Sequence, residues 1–206
     1  MIDNGDLPQA ILNDHGETLL QLSARSIENG LKNAKPLPVS PDDYAPELVE
    51  LGASFVTLKR GGKLRGCIGS SEAYRPLIAD VSENGFRAAF KDPRFPALKP
   101  VEIEGLHLSI SLLSPKSPMS FTDEAEFLQS LRPQIDGLII EDGGRRALFL
   151  PSVWAQLPET KTFVEHLKAK AGMSKDHWSD DFKAWRFTAD EITQDTLDDP
   201  ASIWSN

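Results

Sequence analysis

The chain has a single cysteine in 206 residues. One thiol cannot close an intramolecular disulfide, so no covalent staple is expected and a reducing compartment is the natural setting. Histidine is scarce as well, with four in all. Neither CxxC nor HExxH spacing occurs, and histidines and carboxylates do not cluster along the chain, so no metal site is expected. No stretch approaches the roughly 18 consecutive apolar residues of a membrane span. The first thirty residues carry Asp3, Asp6, Asp14 and Glu17 in place of an apolar run, which argues against a secretory leader and for a cytoplasmic protein. Low-complexity segments, a solenoid period, a Walker pattern and GxGxxG are all missing.

What is present begins with a 40% apolar content. A chain of this length makes one large domain or two small lobes and buries roughly 70% of its unfolded surface. The net charge of −9 argues against nucleic acid as a general partner. The charge is uneven, however. From Lys59 to Lys99 there are nine basic residues against four acids, a local balance of +5 that leaves −14 for the remainder. Such an island can focus an anionic small molecule on one face, although solvated surface charge accounts for it equally well.

The pattern along the chain alternates helices with hairpins. Residues 1–13 read as frayed, and Asp14 with Glu17 reads as a capping box. It opens a helix whose stripe, Leu19, Leu20, Leu22, Ile27 and Leu31, runs to about Asn33. Four prolines between positions 35 and 51 make an irregular wrap. Ser54 to Lys59 and Lys63 to Gly69 form a hairpin around Gly61-Gly62. With that loop Cys67 faces Val56, Arg65 faces Leu58 and Ile68 faces Phe55, and partly apolar faces predict a central, covered hairpin.

Arg75-Pro76 opens a helix that Asp92-Pro93-Arg94-Phe95-Pro96 ends. A strand at 106–113, a short helix at 122–131, a second hairpin at 137–150, a helix at 160–171 and a strand at 184–188 follow, and the acidic tail reads as loose. Hairpins mixed with helices define an α+β fold, an antiparallel or mixed sheet with flanking helices. The two Gly-Gly hairpins, each followed by proline and a helical turn, hint at an internal duplication with a poor residue match.

The sharpest chemical feature is Leu64-Arg65-Gly66-Cys67-Ile68-Gly69. Gly66 and Gly69 strip side-chain cover from the thiol and let a ligand approach the backbone. In strand geometry Arg65 shares a face with Cys67 about 7 Å away, and a close cation favours thiolate. The bland alternative is that Cys67 is a small core residue and the glycines let a helix lie close on the sheet. A cysteine nucleophile needs a base, and His107, out of phase with Leu106 and Leu108, is the first partner to consider. Arg94, held between two prolines, suits carboxylate or phosphate recognition. As a structural corner, Phe95 would instead plug the core and Arg94 would pair with Asp92 or Glu83, with Phe95-Pro96 a candidate cis bond.

These segments together resemble the AMMECR domain family. The likeness rests on Phe55-Val56-Thr57, the six-residue cysteine motif, Asp92 to Pro96, Ser109 to Leu113, Asp136-Gly137-Leu138, Leu150 to Trp154, Phe163 to Gly172, His177-Trp178 and Trp185-Arg186-Phe187. It spans roughly residues 15 to 195, leaving 1–14 and 196–206 as flexible termini around a single domain. The resemblance implies a larger and a smaller lobe with the cysteine hairpin near their cleft. The family's prokaryotic name, AmmeMemoRadiSam system protein A, groups it with a Memo-like protein and a radical SAM protein. This implies possible partners in a shared pathway and supplies neither a reaction nor a cofactor.

Two readings of function follow. In the first, the chain is a cysteine-dependent small enzyme or thiol carrier. Cys67 reacts, Arg65 and His107 assist it, and Gly66, Gly69 and Arg94 bind an anionic small substrate. In the second it is a binding module without chemistry that docks a protein or ligand on the same surface, with Cys67 structural.

Overall fold

The computed structural model describes residues 7–204. The chain divides into two compact units, one formed by residues up to Leu113 together with those from Asp190 onward, the other by Ser114–Ala189.

The first unit is a four-stranded sheet with two long helices on one face. Its elements are α1 (Leu7–Asn33), α2 (Pro46–Val49), β1 (Leu51–Gly52), β2 (Ser54–Arg60), β3 (Lys63–Gly69), β4 (Arg75–Pro76), α3 (Leu77–Phe90) and β5 (Leu106–Leu113), completed by β10 (Ala189–Thr193). The strand order is β10-β5-β2-β3, while β1 and β4 form a separate two-residue ladder. Both helices pack on the side of the sheet that carries Val56, Leu58, Leu108 and Ile110, all fully buried.

Helix α1 starts about two turns before the expected capping box. Pro8 sits in its first turn, where a missing N–H costs little, and Leu12, only 4% exposed, carries the apolar stripe upstream of Leu19. Asp14 and Glu17 are therefore exposed mid-helix residues. The tail is corrected too. Asp199 caps a short turn at Pro200–Ile203, and Ile203 is buried in the core, with Trp204 packed against it.

The first hairpin departs from its expected register by one residue. Arg60 pairs with Lys63 and Lys59 with Leu64, but Leu58 then pairs with Gly66 and Thr57 with Cys67. Arg65 is the extra residue of a β-bulge. Because side chains alternate, a one-residue slip exchanges faces. Cys67 thus stands beside Thr57 on the face away from the helices, and not beside Val56 in the core. The hairpin is also not central, since β3 is the edge of the sheet.

A buried carboxylate ties these elements together. Asp80 on α3 is fully buried. Its Oδ2 accepts from the Ser54 amide (2.8 Å), the Ser54 hydroxyl (2.7 Å) and Asn84 Nδ2 (2.9 Å). Its Oδ1 accepts from the Ser70 hydroxyl (2.6 Å) and Arg75 Nε (2.8 Å). Five donors to one carboxylate satisfy the charge without water. They fix the start of β2 and the end of β3 against the helix that follows.

The second unit contains β6 (Ser117–Pro118), α4 (Glu124–Ser130), β7 (Gly137–Asp142), β8 (Arg145–Phe149), α5 (Thr160–Lys170) and β9 (Lys183–Phe187). Its strands lie in the order β6-β9-β7-β8. Trp154 is 1% exposed, stacks on Phe163 at 3.7 Å and donates from Nε1 to the Asp136 carbonyl at 2.7 Å. Lys168 is fully buried; its ammonium meets Glu124 Oε1 at 2.5 Å and lies over the Trp178 and Phe182 rings. Both units mix helices with antiparallel strands, so the protein is α+β. Among the described residues no helix is long and apolar enough to cross a membrane.

Candidate functional site

The site is built on the edge of β3. Cys67 and Thr57 face each other across the hairpin with the Cys67 N–H pointing outward, away from β2. An edge strand presents unpaired backbone groups to solvent, and here the loop after α3 takes them up. Asp92 Oδ2 accepts the Cys67 N–H at 2.9 Å, and Arg94 Nη2 donates to the Cys67 carbonyl at 3.2 Å. The two loop side chains are themselves joined, Arg94 Nε to Asp92 Oδ1 at 2.9 Å and Nη2 to Oδ2 at 2.7 Å. An acid and a base two residues apart thus stand in for the missing neighbour strand.

Cys67 is half-buried. The Thr57 hydroxyl donates to Sγ at 3.4 Å, and the Arg94 guanidinium is held at the same residue by its bond to the Cys67 carbonyl. Arg94 remains 53% exposed while Asp92 is 2% exposed, so the cation reaches solvent and its counter-charge does not. The bonds from Arg94 hold the Asp92 carboxyl well below the usual carboxylate range against the opposing effect of burial. Asp92 correspondingly raises Arg94.

Arg65 stands elsewhere than the strand reading placed it. The bulge turns it toward Glu102, with Nε to Oε1 at 2.8 Å and Nη2 to Oε2 at 3.0 Å, and Nη2 also donates to the Pro96 carbonyl. This pairing, helped by the Lys99 amide, lowers the Glu102 carboxyl to about 2 despite burial. The Phe95 ring lies near both guanidinium groups, 5.9 Å from Arg65 and 5.5 Å from Arg94. No cis peptide bond occurs among the described residues, so Phe95-Pro96 is trans.

The flanking glycines have packing reasons. A Cβ at Gly66 would lie 2.1 Å from the Ala88 carbonyl oxygen of α3, and one at Gly69 would lie 2.2 Å from the Phe55 ring. Gly66 lets the helix lie on the strand, as the bland reading anticipated, and Gly69 makes room for an aromatic cover.

His107 shares the outer face with Cys67 but sits two strands away. It pairs with Lys59, one step along the sheet from the Thr57–Ser109 pair. Its Nδ1 lies 3.0 Å from Asp195 Oδ1, so its recorded partner is a carboxylate and not the thiol. His15 lies on α1 near Glu47, and His166 on α5 belongs to the second unit. Also in the second unit, His177 Nε2 lies 2.5 Å from Asp142 Oδ2, and the Ser179 hydroxyl donates to that same oxygen at 2.7 Å. The hydroxyl meets the carboxylate and not the imidazole, so these three do not form a Ser-His-Asp relay.

Sequence reasoning missed the bulge, the Arg65–Glu102 pair and the Asp80 network. Only the last carried a local signal, an arginine five residues ahead of a helix-face aspartate.

The fold and this site define an α+β protein of two compact units with a clamped, half-exposed cysteine on an edge hairpin. The chain belongs to the AMMECR1 family, whose model matches residues 20–192. A protein of Methanothermobacter thermautotrophicus is 35% identical over 184 residues, covering 88% of this chain and 95% of that one. Protein PH0010 of Pyrococcus horikoshii is 35% identical over 189 residues, 87% of this chain and 90% of that one. The crystal structure of PH0010, described as an uncharacterized protein, superposes with a TM-score of 0.80 at 34% identity over 87% of this chain and 91% of that chain.

Proposed function

We propose that this AMMECR1-family protein is a cysteine-dependent small enzyme or thiol carrier acting on an anionic small molecule. Cys67 is the reacting group, and Arg94 replaces Arg65 as the cation beside it. The observation that carries this reading is the half-exposed Cys67, with the Thr57 hydroxyl on its sulfur and the Arg94 guanidinium bonded to its carbonyl. Arg94 keeps half its side chain in solvent, available to an incoming anion. Arg65 and Glu102 hold the bulge and steady Phe95. A single thiol in the chain suits a reducing cytoplasm. The family's grouping with a Memo-like protein and a radical SAM protein supports a shared pathway with them.

The second reading, a binding module with a structural Cys67, is favoured by one observation: both arginines are already paired with carboxylates, Arg65 with Glu102 and Arg94 with Asp92. Intact-mass analysis of wild type and Cys67→Ser, purified without reductant from cells that make the natural pathway, separates the two. The enzyme or carrier reading expects an added mass on the Cys67 peptide that Cys67→Ser lacks. An unmodified wild type, with the same co-purified proteins on both variants, supports the binding module instead.

A further inference from the structure

Helix α1 and the proline-rich segment that follows it line an open cavity of about 520 Å³, within the range typical of small-molecule sites. It lies on the helix side of the first unit's sheet, away from the Cys67 face. Its lining mixes polar side chains with Leu48, 1% exposed, and with Leu37 and Val39, which pack on the main core. Its lining includes two donor side chains, Arg25 on α1 and Tyr44 on the segment.

Neither polar group is used by the fold. Among the described residues Arg25 has no ion pair and no hydrogen bond, and the Tyr44 hydroxyl has no recorded partner. They are close enough that the arginine charge pulls against the rise that burial imposes on the Tyr44 phenol. The segment is anchored at its start, seven residues before Tyr44. Asn29 Nδ2 donates to the Lys35 carbonyl at 2.7 Å, the Leu37 amide donates to Ser26 Oγ at 3.0 Å, and Ser82 Oγ donates to the Leu37 carbonyl at 2.7 Å. An anchored entry to the segment, buried apolar residues and two donors without a protein partner give the cavity what a small-molecule site needs.

We propose that this cavity is a second ligand site, for a small monocarboxylate with an apolar body. The carboxylate sits between Arg25 and the Tyr44 hydroxyl, and the hydrocarbon lies on Leu37, Val39 and Leu48. Asp43, in the same lining and near the Tyr44 phenol, and Glu47 beside His15 repel higher charge, which selects a single carboxylate over a phosphate. The site is independent of the Cys67 chemistry and stands whether or not that reading holds.

Calorimetric titration of the full chain with 3-phenylpropionate, octanoate and 3-phenylpropanamide tests it. Wild type is expected to bind both carboxylates and to bind the amide at least tenfold more weakly. In Arg25→Gln, an exposed position in a helix that glutamine suits, carboxylate affinity is expected to fall to that of the amide. Tyr44→Phe is expected to lose a few-fold. Failure of both carboxylates to bind wild type, equal binding of amide and carboxylate there, or undiminished carboxylate binding by Arg25→Gln overturns the proposal. The amide comparison needs no variant and holds even if a substitution disturbs folding.

Discussion

Cys67 is held by its backbone, while its sulfur accepts the Thr57 hydroxyl. Asp92 and Arg94 take its N–H and carbonyl, Gly66 seats the strand on α3, and Gly69 yields to the Phe55 ring. The two glycines differ in what stands in the way of a Cβ. At Gly66 it is the Ala88 carbonyl, part of a helix backbone; at Gly69 it is an aromatic side chain. Gly66→Ala is therefore expected to cost about 3 kcal/mol and Gly69→Ala about 1 kcal/mol, compared by urea denaturation. Equal losses would mean that α3 gives way as readily as the ring. At this scale the motif was legible as a glycine-flanked thiol near positive charge. Which arginine supplies that charge was not. Arg94 stands 27 residues from Cys67, and Arg65 is diverted by Glu102, 37 residues away.

The loop after α3 does at the level of elements what a neighbouring strand would do. Its carboxylates carry a pH dependence whose sign is fixed by their depressed values. A carboxyl lowered in the folded state contributes stability that is full above its unfolded pKa and is lost as pH falls toward the folded one. For Glu102 that window runs from 4.5 down to about 2, and for Asp92 it extends lower. The urea-midpoint gap between wild type and Glu102→Gln is expected to be full at pH 6 and to close as pH falls through this window. A gap that stays constant with pH would show that Arg65 gains nothing from the charge on Glu102. The helices, both hairpins and strand β5 were legible from periodicity and Gly-Gly turns. The bulge was not, because a Gly61-Gly62 loop sets the register only until an extra residue enters. The α1 start and the docked tail were missed because Ile11-Leu12 and Ile203-Trp204 are short apolar pairs among polar residues. Their burial depends on partners distant in sequence.

Across the whole molecule, the alternation of hairpins with helices was enough to read an α+β fold, and the signature segments were enough to read the family. Neither could assign a reaction, because a reaction depends on which side chains approach one sulfur, and those approaches join residues far apart in the chain. The account's central claim is that Arg94 presents positive charge to an incoming anion at Cys67. Its most direct measurement is the rate of Cys67 alkylation by anionic iodoacetate relative to neutral iodoacetamide, in wild type and Arg94→Gln at low and moderate salt. The ratio cancels the intrinsic reactivity of the thiol. The account predicts a ratio about fivefold higher in wild type, shrinking as salt screens the charge. A ratio unchanged by Arg94→Gln and indifferent to salt would contradict it.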